Sequence, residues 1–78
     1  MVYDGRMVTD AQRIRVIRAY MGLESQVFAD KLGVSRVTLT AWEAGRSVPG
    51  LRGGAALAKV MKKAKLVLRP DGYPVPKG

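Results

Sequence analysis

The chain has 78 residues, no cysteine and no histidine, and 14 Lys and Arg against 6 Asp and Glu, for a formal charge of +8. That length holds one small domain, near the lower limit for folding without staples. The two missing residue types exclude disulfides and remove the usual zinc ligands, the thiol nucleophile and the general base near neutral pH, so no metal, cofactor or catalytic site is expected.

The surplus positive charge suits a polyanionic partner. No apolar run approaches the roughly 20 residues of a membrane span. The start MVYDGRMV lacks a basic segment leading into an apolar one, so a cytoplasmic location is expected. Residues 1–8 read as an N-terminal arm, in which Asp4-Gly5 between Val2-Tyr3 and Met7-Val8 is a candidate hairpin turn.

Thr9 followed by Gln12 is a capping-box signature. Ile14, Ile17 and Met21 then fall on one stripe of a helix that Gly22 closes. A shorter helix is predicted over 25–32, with Phe28, Ala29 and Leu32 inward and Gly33 at its end. Ser35 is an N-cap candidate for a third helix over 36–44, terminated by Gly45. Leu39 and Trp42 face the core from it, leaving Arg36, Val37, Thr40, Ala41 and Ala44 on the opposite side. Only Gly33, Val34 and Ser35 separate the second and third helices, a short glycine-containing turn that lets two helices cross steeply. A fourth helix is predicted within 51–64, with Leu57, Val60, Met61 and Ala64 as its stripe. Gly53-Gly54 is a weak place in it, which favours a start after that pair. Leu66-Val67-Leu68 then reads as a strand, Arg69 to Gly72 as a turn, and Tyr73-Pro74-Val75-Pro76 as extended.

The stretch Arg18 to Pro49, RAYMGLESQVFADKLGVSRVTLTAWEAGRSVP, resembles the lambda-repressor-like helix-turn-helix proteins of the Cro and Xre type. The residues that carry the resemblance are Arg18, Gly22-Leu23, Phe28-Ala29, Lys31-Leu32-Gly33-Val34-Ser35, Trp42-Glu43-Ala44-Gly45-Arg46 and Pro49. It implies a mainly α fold: a four-to-five-helix lambda-repressor-like helix-turn-helix domain at 9–64, followed by a short C-terminal β-strand in a tail at 65–78. It also implies sequence-specific binding of double-stranded DNA and an ion pair between Arg18 of the first helix and Glu43 of the third. Glu24 and Ser25, with Gln26 one position on, depart from the family's usual Thr or Asn followed by Gln. That departure leaves the second helix's contact with phosphate open.

A recognition helix enters the major groove with its N-terminal residues against base edges. Arg36, Val37, Thr38, Thr40 and Ala41 are therefore the candidate base contacts. Arg36 can donate two hydrogen bonds to O6 and N7 of a guanine, with a phosphate contact as its alternative. Val37 and Ala41 suit thymine methyls, and Thr38 can instead bond back into its own helix. Phosphate contacts are expected from Ser25, Gln26, Ser35, Arg46 and Ser47, with Arg13, Arg52 and Lys59 as further candidates. Lys62, Lys63 and Lys65 read as a solvated helix face.

Leu66, Val67 and Leu68 are expected to pair with their copies in a second chain, because folding back onto a segment with two prolines offers a partner short of donors. Pairing with Val2-Tyr3 or Met7-Val8 is the intrachain alternative. The expectation is thus a homodimeric repressor or autoregulator of a palindromic operator. An antitoxin or antirepressor of the same fold, with a protein partner such as a toxin, is the alternative. A nonspecific cationic binder of RNA or membrane comes next, and an enzyme last.

Overall fold

A computed structural model of the chain describes residues 8–77, so the hairpin expected at Asp4-Gly5 lies outside the described residues. Along the chain run α1 (Asp10–Met21), α2 (Ser25–Leu32), α3 (Arg36–Glu43), α4 (Leu51–Lys63), β1 (Leu66–Leu68) and β2 (Pro74–Pro76). The fold is mainly α, with four helices and a pair of strands where the sequence pattern suggested one.

α1 begins where local chemistry dictates. Thr9 Oγ1 accepts from the Gln12 N–H at 3.1 Å, and Gln12 Oε1 accepts from the Thr9 N–H at 2.9 Å, which closes the capping box. Gly22 and Gly33, at φ 66° and 73°, end α1 and α2 in the left-handed conformation and return their N–H groups to last-turn carbonyls. Ile14 and Ile17 of α1, Phe28, Ala29 and Leu32 of α2, and Leu39 and Trp42 of α3 meet Leu57, Val60 and Met61 of α4 in one core. Leu66 of β1 joins them.

α4 starts at Leu51 and carries Gly53 and Gly54 in its opening turn, so the expected start after that pair is corrected. The reason is tertiary. Gly53 is buried against the Trp42 ring, and a Cβ on it would lie 2.8 Å from Cη2 and 2.9 Å from Cζ2 of that ring. Bare backbone at this position lets α4 sit close on the α3 tryptophan, and the contact offsets the poor helix propensity of the pair.

The tail corrects the expectation that folding back onto the proline-containing segment gives β1 a poor partner. β1 pairs antiparallel with β2 of the same chain, in the register Leu66–Pro76, Val67–Val75 and Leu68–Pro74. A Gly72 N–H to Arg69 C=O bond of 2.8 Å, with Gly72 at φ 88°, reverses the chain between them. Arg69 N–H donates to Tyr73 C=O at 3.0 Å, and Lys77 N–H donates to Lys65 C=O at 2.8 Å. Bonded and non-bonded pairs alternate along an antiparallel ladder, so the bonded pairs are the odd-numbered ones. Pro74 and Pro76 both fall on non-bonded positions, where the nitrogen points away from the partner strand. Their missing donors are not needed by the ladder, and the fold-back forms. Leu66 is only 5% exposed, so its side chain serves its own core and is not free for an interface.

Asp71 pins the turn, accepting from Arg69 Nη2 at 2.9 Å and from the Tyr73 N–H at 3.0 Å. The Arg69 guanidinium first, and the Tyr73 N–H after it, hold this carboxyl below its ordinary value. The stabilisation is complete above the ordinary carboxylate pKa and is lost as pH falls through the lowered one. Val8 N–H donates to Asp71 C=O at 2.8 Å, which joins the entry to α1 to the same turn.

Candidate nucleic-acid interface

α3 lies against both α1 and α2 and is fastened at each end. At its start Ser35 Oγ accepts from the Thr38 N–H at 3.1 Å and donates to Thr38 Oγ1 at 3.0 Å. At its end Arg18 Nε donates to Glu43 Oε2 at 2.8 Å, and Arg18 Nη1 donates to the Leu23 C=O at 3.4 Å. Arg15 Nη1 adds a bond to the Glu43 C=O at 3.1 Å. Two arginines one turn apart on α1 thus hold the last turn of α3, one by side chain and one by main chain. The family resemblance points to Arg18 but not to Arg15, although the i, i+3 spacing of the two was a usable signal.

In the ion pair Glu43 is 12% exposed and Arg18 31%. Solvent reaches the guanidinium, so the coupling is expected at about 1–2 kcal/mol, below that of a fully buried pair. Arg18→Ala and Glu43→Ala should each lower the melting temperature, with the double mutant losing less than their sum. Additive losses in that thermal cycle would mean that the two side chains act independently.

Leu39 and Trp42 fix which side of α3 turns out. Arg36, Val37, Thr40 and Ala44 are exposed on that side, with Ala41 half-buried at its margin. Val37 is 78% exposed beside Arg36, an apolar side chain with no role in the core. Thr38 stands off this face, half-buried, with its hydroxyl engaged by Ser35. Four of the five expected base contacts therefore share a face, and the fifth belongs to the cap.

The expected phosphate contacts divide in the same way. Ser35 sits at the start of α3, and Arg46 and Ser47 are exposed just past its end. Gln26 Nε2 is bonded to Asp30 Oδ1 at 2.9 Å within α2. Ser25 is half-buried in the first turn of α2, while Glu24 takes the cap position without a side-chain bond. Arg13 is tied to Asp10, and Arg52 and Lys59 are exposed on α4. Among the described residues Arg13, Arg18 and Arg69 face carboxylates, whereas Arg36 and Arg46 have none within ion-pair distance. These two flank the outward face of α3 and leave it electropositive at both ends.

Two helices crossing over a three-residue turn, the second braced from behind and bare in front, form a helix-turn-helix DNA-binding unit. A family model described as Helix-turn-helix matches residues 14–65, which is 52 of the 78 residues. The chain belongs to the helix-turn-helix family of Cro/C1 type, and in general terms it is a DNA-binding regulator. No curated protein and no solved structure matches it. No helix among the described residues is long and apolar enough to cross a membrane.

Proposed function

We propose that the chain is a sequence-specific binder of double-stranded DNA that acts as a homodimeric repressor or autoregulator on a palindromic operator. The observation that carries this reading is the outward face of α3, where Arg36, Val37, Thr40 and Ala41 stand together on a helix held at both ends. In the major groove Arg36 reads a guanine through O6 and N7, and Val37 and Ala41 meet thymine methyls. Thr40 reaches a base or the neighbouring phosphate. Arg46 and Ser47 hold the backbone, with Ser25 closing on it from α2, while Ser35 and Gln26 reach it by exchanging their bonds to Thr38 and Asp30 for the phosphate. A face with a single strong donor leaves part of the preference to duplex shape. Repression follows from occupancy, since a protein seated across an operator excludes other proteins from it.

Selection of bound duplexes from a random pool, followed by competition with nonspecific DNA, tests the reading. The expected product is a palindrome whose half-sites lie one helical turn apart, about 34 Å. Its affinity should exceed nonspecific binding by at least about 10³-fold. A pool that emerges without sequence preference overturns the proposal. Arg46→Ala is expected to weaken every duplex alike and to reduce the slope of log affinity against log salt by about 0.9, the share of one phosphate. A change in base preference instead would move Arg46 among the base readers.

A further inference from the structure

α4 carries more positive charge than its packing explains. Arg52, Lys59 and Lys63 fall at i, i+7 and i+11, an exposed stripe about 16 Å long at the helical rise per residue. Lys31, in the last turn of α2, faces this stripe across two adjoining hollows of about 440 and 320 Å³. Among the described residues none of the four cations meets a carboxylate within ion-pair distance. The arrangement works against the fold. Lys59 and Lys63 repel each other at i, i+4, and Arg52 sets a cation at the positive end of the helix dipole. Asp30, the acid at the rim, is already bonded to Gln26.

Between the cations the floor is small and apolar, formed by Ala55, Ala56, Val60 and Ala64. Contacts to a nucleic-acid backbone draw on hydroxyls and amides as well as on cations. No Ser, Thr, Asn or Gln side chain lines either hollow, and neither does any residue of the outward face of α3. We propose that this groove docks an acidic amphipathic helix of a partner protein, its apolar stripe on the alanines and its carboxylates against Lys31, Arg52, Lys59 and Lys63. The stripe of cations gives that helix a length of about three turns. Ala55 and Ala56 let its axis come within about 8 Å of the α4 axis. Carboxylates spaced seven and four residues apart along it repeat the cation spacing of α4, and each ion pair relieves a repulsion that α4 otherwise carries. The groove works independently of how α3 reads DNA, so both surfaces can be occupied at once.

The probe is a labelled, stapled helix of about 14 residues, long enough to span the stripe, with glutamates flanking a leucine stripe. It is titrated with the full chain by fluorescence anisotropy at low salt, where exposed charges are least screened. A scrambled helix of the same composition and a version with glutamine for glutamate are the controls. The amphipathic helix is expected to bind with a micromolar Kd, and both controls at least about tenfold more weakly. Lys59→Glu with Lys63→Glu should keep a native melt and lose at least about tenfold in affinity, regained by a peptide carrying lysine at two glutamate positions. If that variant loses its native melt, Lys59→Gln with Lys63→Gln makes the same test, with a loss of about threefold or more. Ala55→Gln fills the exposed floor without changing charge, and glutamine suits a helix. It should weaken the peptide at least about fivefold and leave binding of a mixed-sequence duplex unchanged. Equal binding of the scrambled helix reduces the groove to an unspecific cationic surface and overturns the proposal. An Ala55→Gln chain weakened alike toward peptide and duplex assigns the groove to nucleic acid and overturns it too. A wild type that binds no amphipathic helix does the same.

Discussion

Gly53→Ala is expected to destabilise the protein by about 2 kcal/mol, even though alanine is the better helix former. Within an exposed helix, replacing glycine by alanine gains roughly 0.5–1 kcal/mol. Gly54 should show that gain, since a Cβ there meets nothing within 4 Å. One residue earlier the same methyl would lie 2.8 and 2.9 Å from the Trp42 ring and 3.0 Å from Pro49 Cβ. Trp42 is 6% exposed and walled in by the core, so it cannot swing aside into solvent. Either α4 lifts from α3 or the ring leaves its rotamer, and overpacking of this kind outweighs the propensity gain. For a domain of this size the loss corresponds to a melting temperature lower by roughly 10 °C. Gly54→Ala should rise by a few degrees in the same experiment. Trp42→Phe placed in the Gly53→Ala background should recover part of the loss, because phenylalanine lacks the benzo edge that the methyl strikes. If Gly53→Ala melts at or above the wild type, the close packing of α4 on Trp42 is not what holds this junction.

Arg36→Ala is expected to weaken operator binding by about 1–3 kcal/mol and to relax preference at one guanine per half-site. Folding should be untouched, since Arg36 is exposed and bonded to no carboxylate. Affinities for all four bases at that position, at one fixed salt concentration, separate base reading from phosphate contact. Under base reading the wild type discriminates among the four duplexes and the mutant does not. A mutant weakened equally on all four would place Arg36 on the backbone, and the reading of sequence would pass to Val37, Thr40, Ala41 and duplex shape.

The parts of the fold that were legible in the sequence are those whose chemistry is local. Thr9 with Gln12, and Ser35 with Thr38, complete their bonds within three residues, so the starts of α1 and α3 can be read from a tetrapeptide. Gly22 and Gly33 mark helix ends for the same reason. Gly53 could not be read this way, because its neighbour of consequence is Trp42, eleven positions away, and propensity alone argued against a helix there. Arg15 was hidden by its target, a main-chain carbonyl on another helix that no side-chain pattern announces. The prolines of β2 show a different failure. Counting absent donors predicted a poor partner for β1, whereas what matters is their parity in the ladder, and both occupy positions that face away. At the candidate site the outward face of α3 was legible from periodicity, while Thr38 was turned to the cap and Gln26 to Asp30 by contacts that composition leaves open.

The double fastening of α3 also bears on the thermodynamics of recognition. A segment that folds on its target contributes a large negative heat capacity change and loses ordering entropy in the complex. α3 is ordered beforehand, by Ser35 at one end, Arg15 and Arg18 at the other, and Leu39 and Trp42 beneath. The heat capacity change on binding is then set by the apolar area of the interface, with no folding contribution. Ordering entropy falls on the long side chains of Arg36 and Arg46 and on the duplex itself. Substitutions on the outward face consequently change how long the complex lasts and leave the assembly of the reader unaltered.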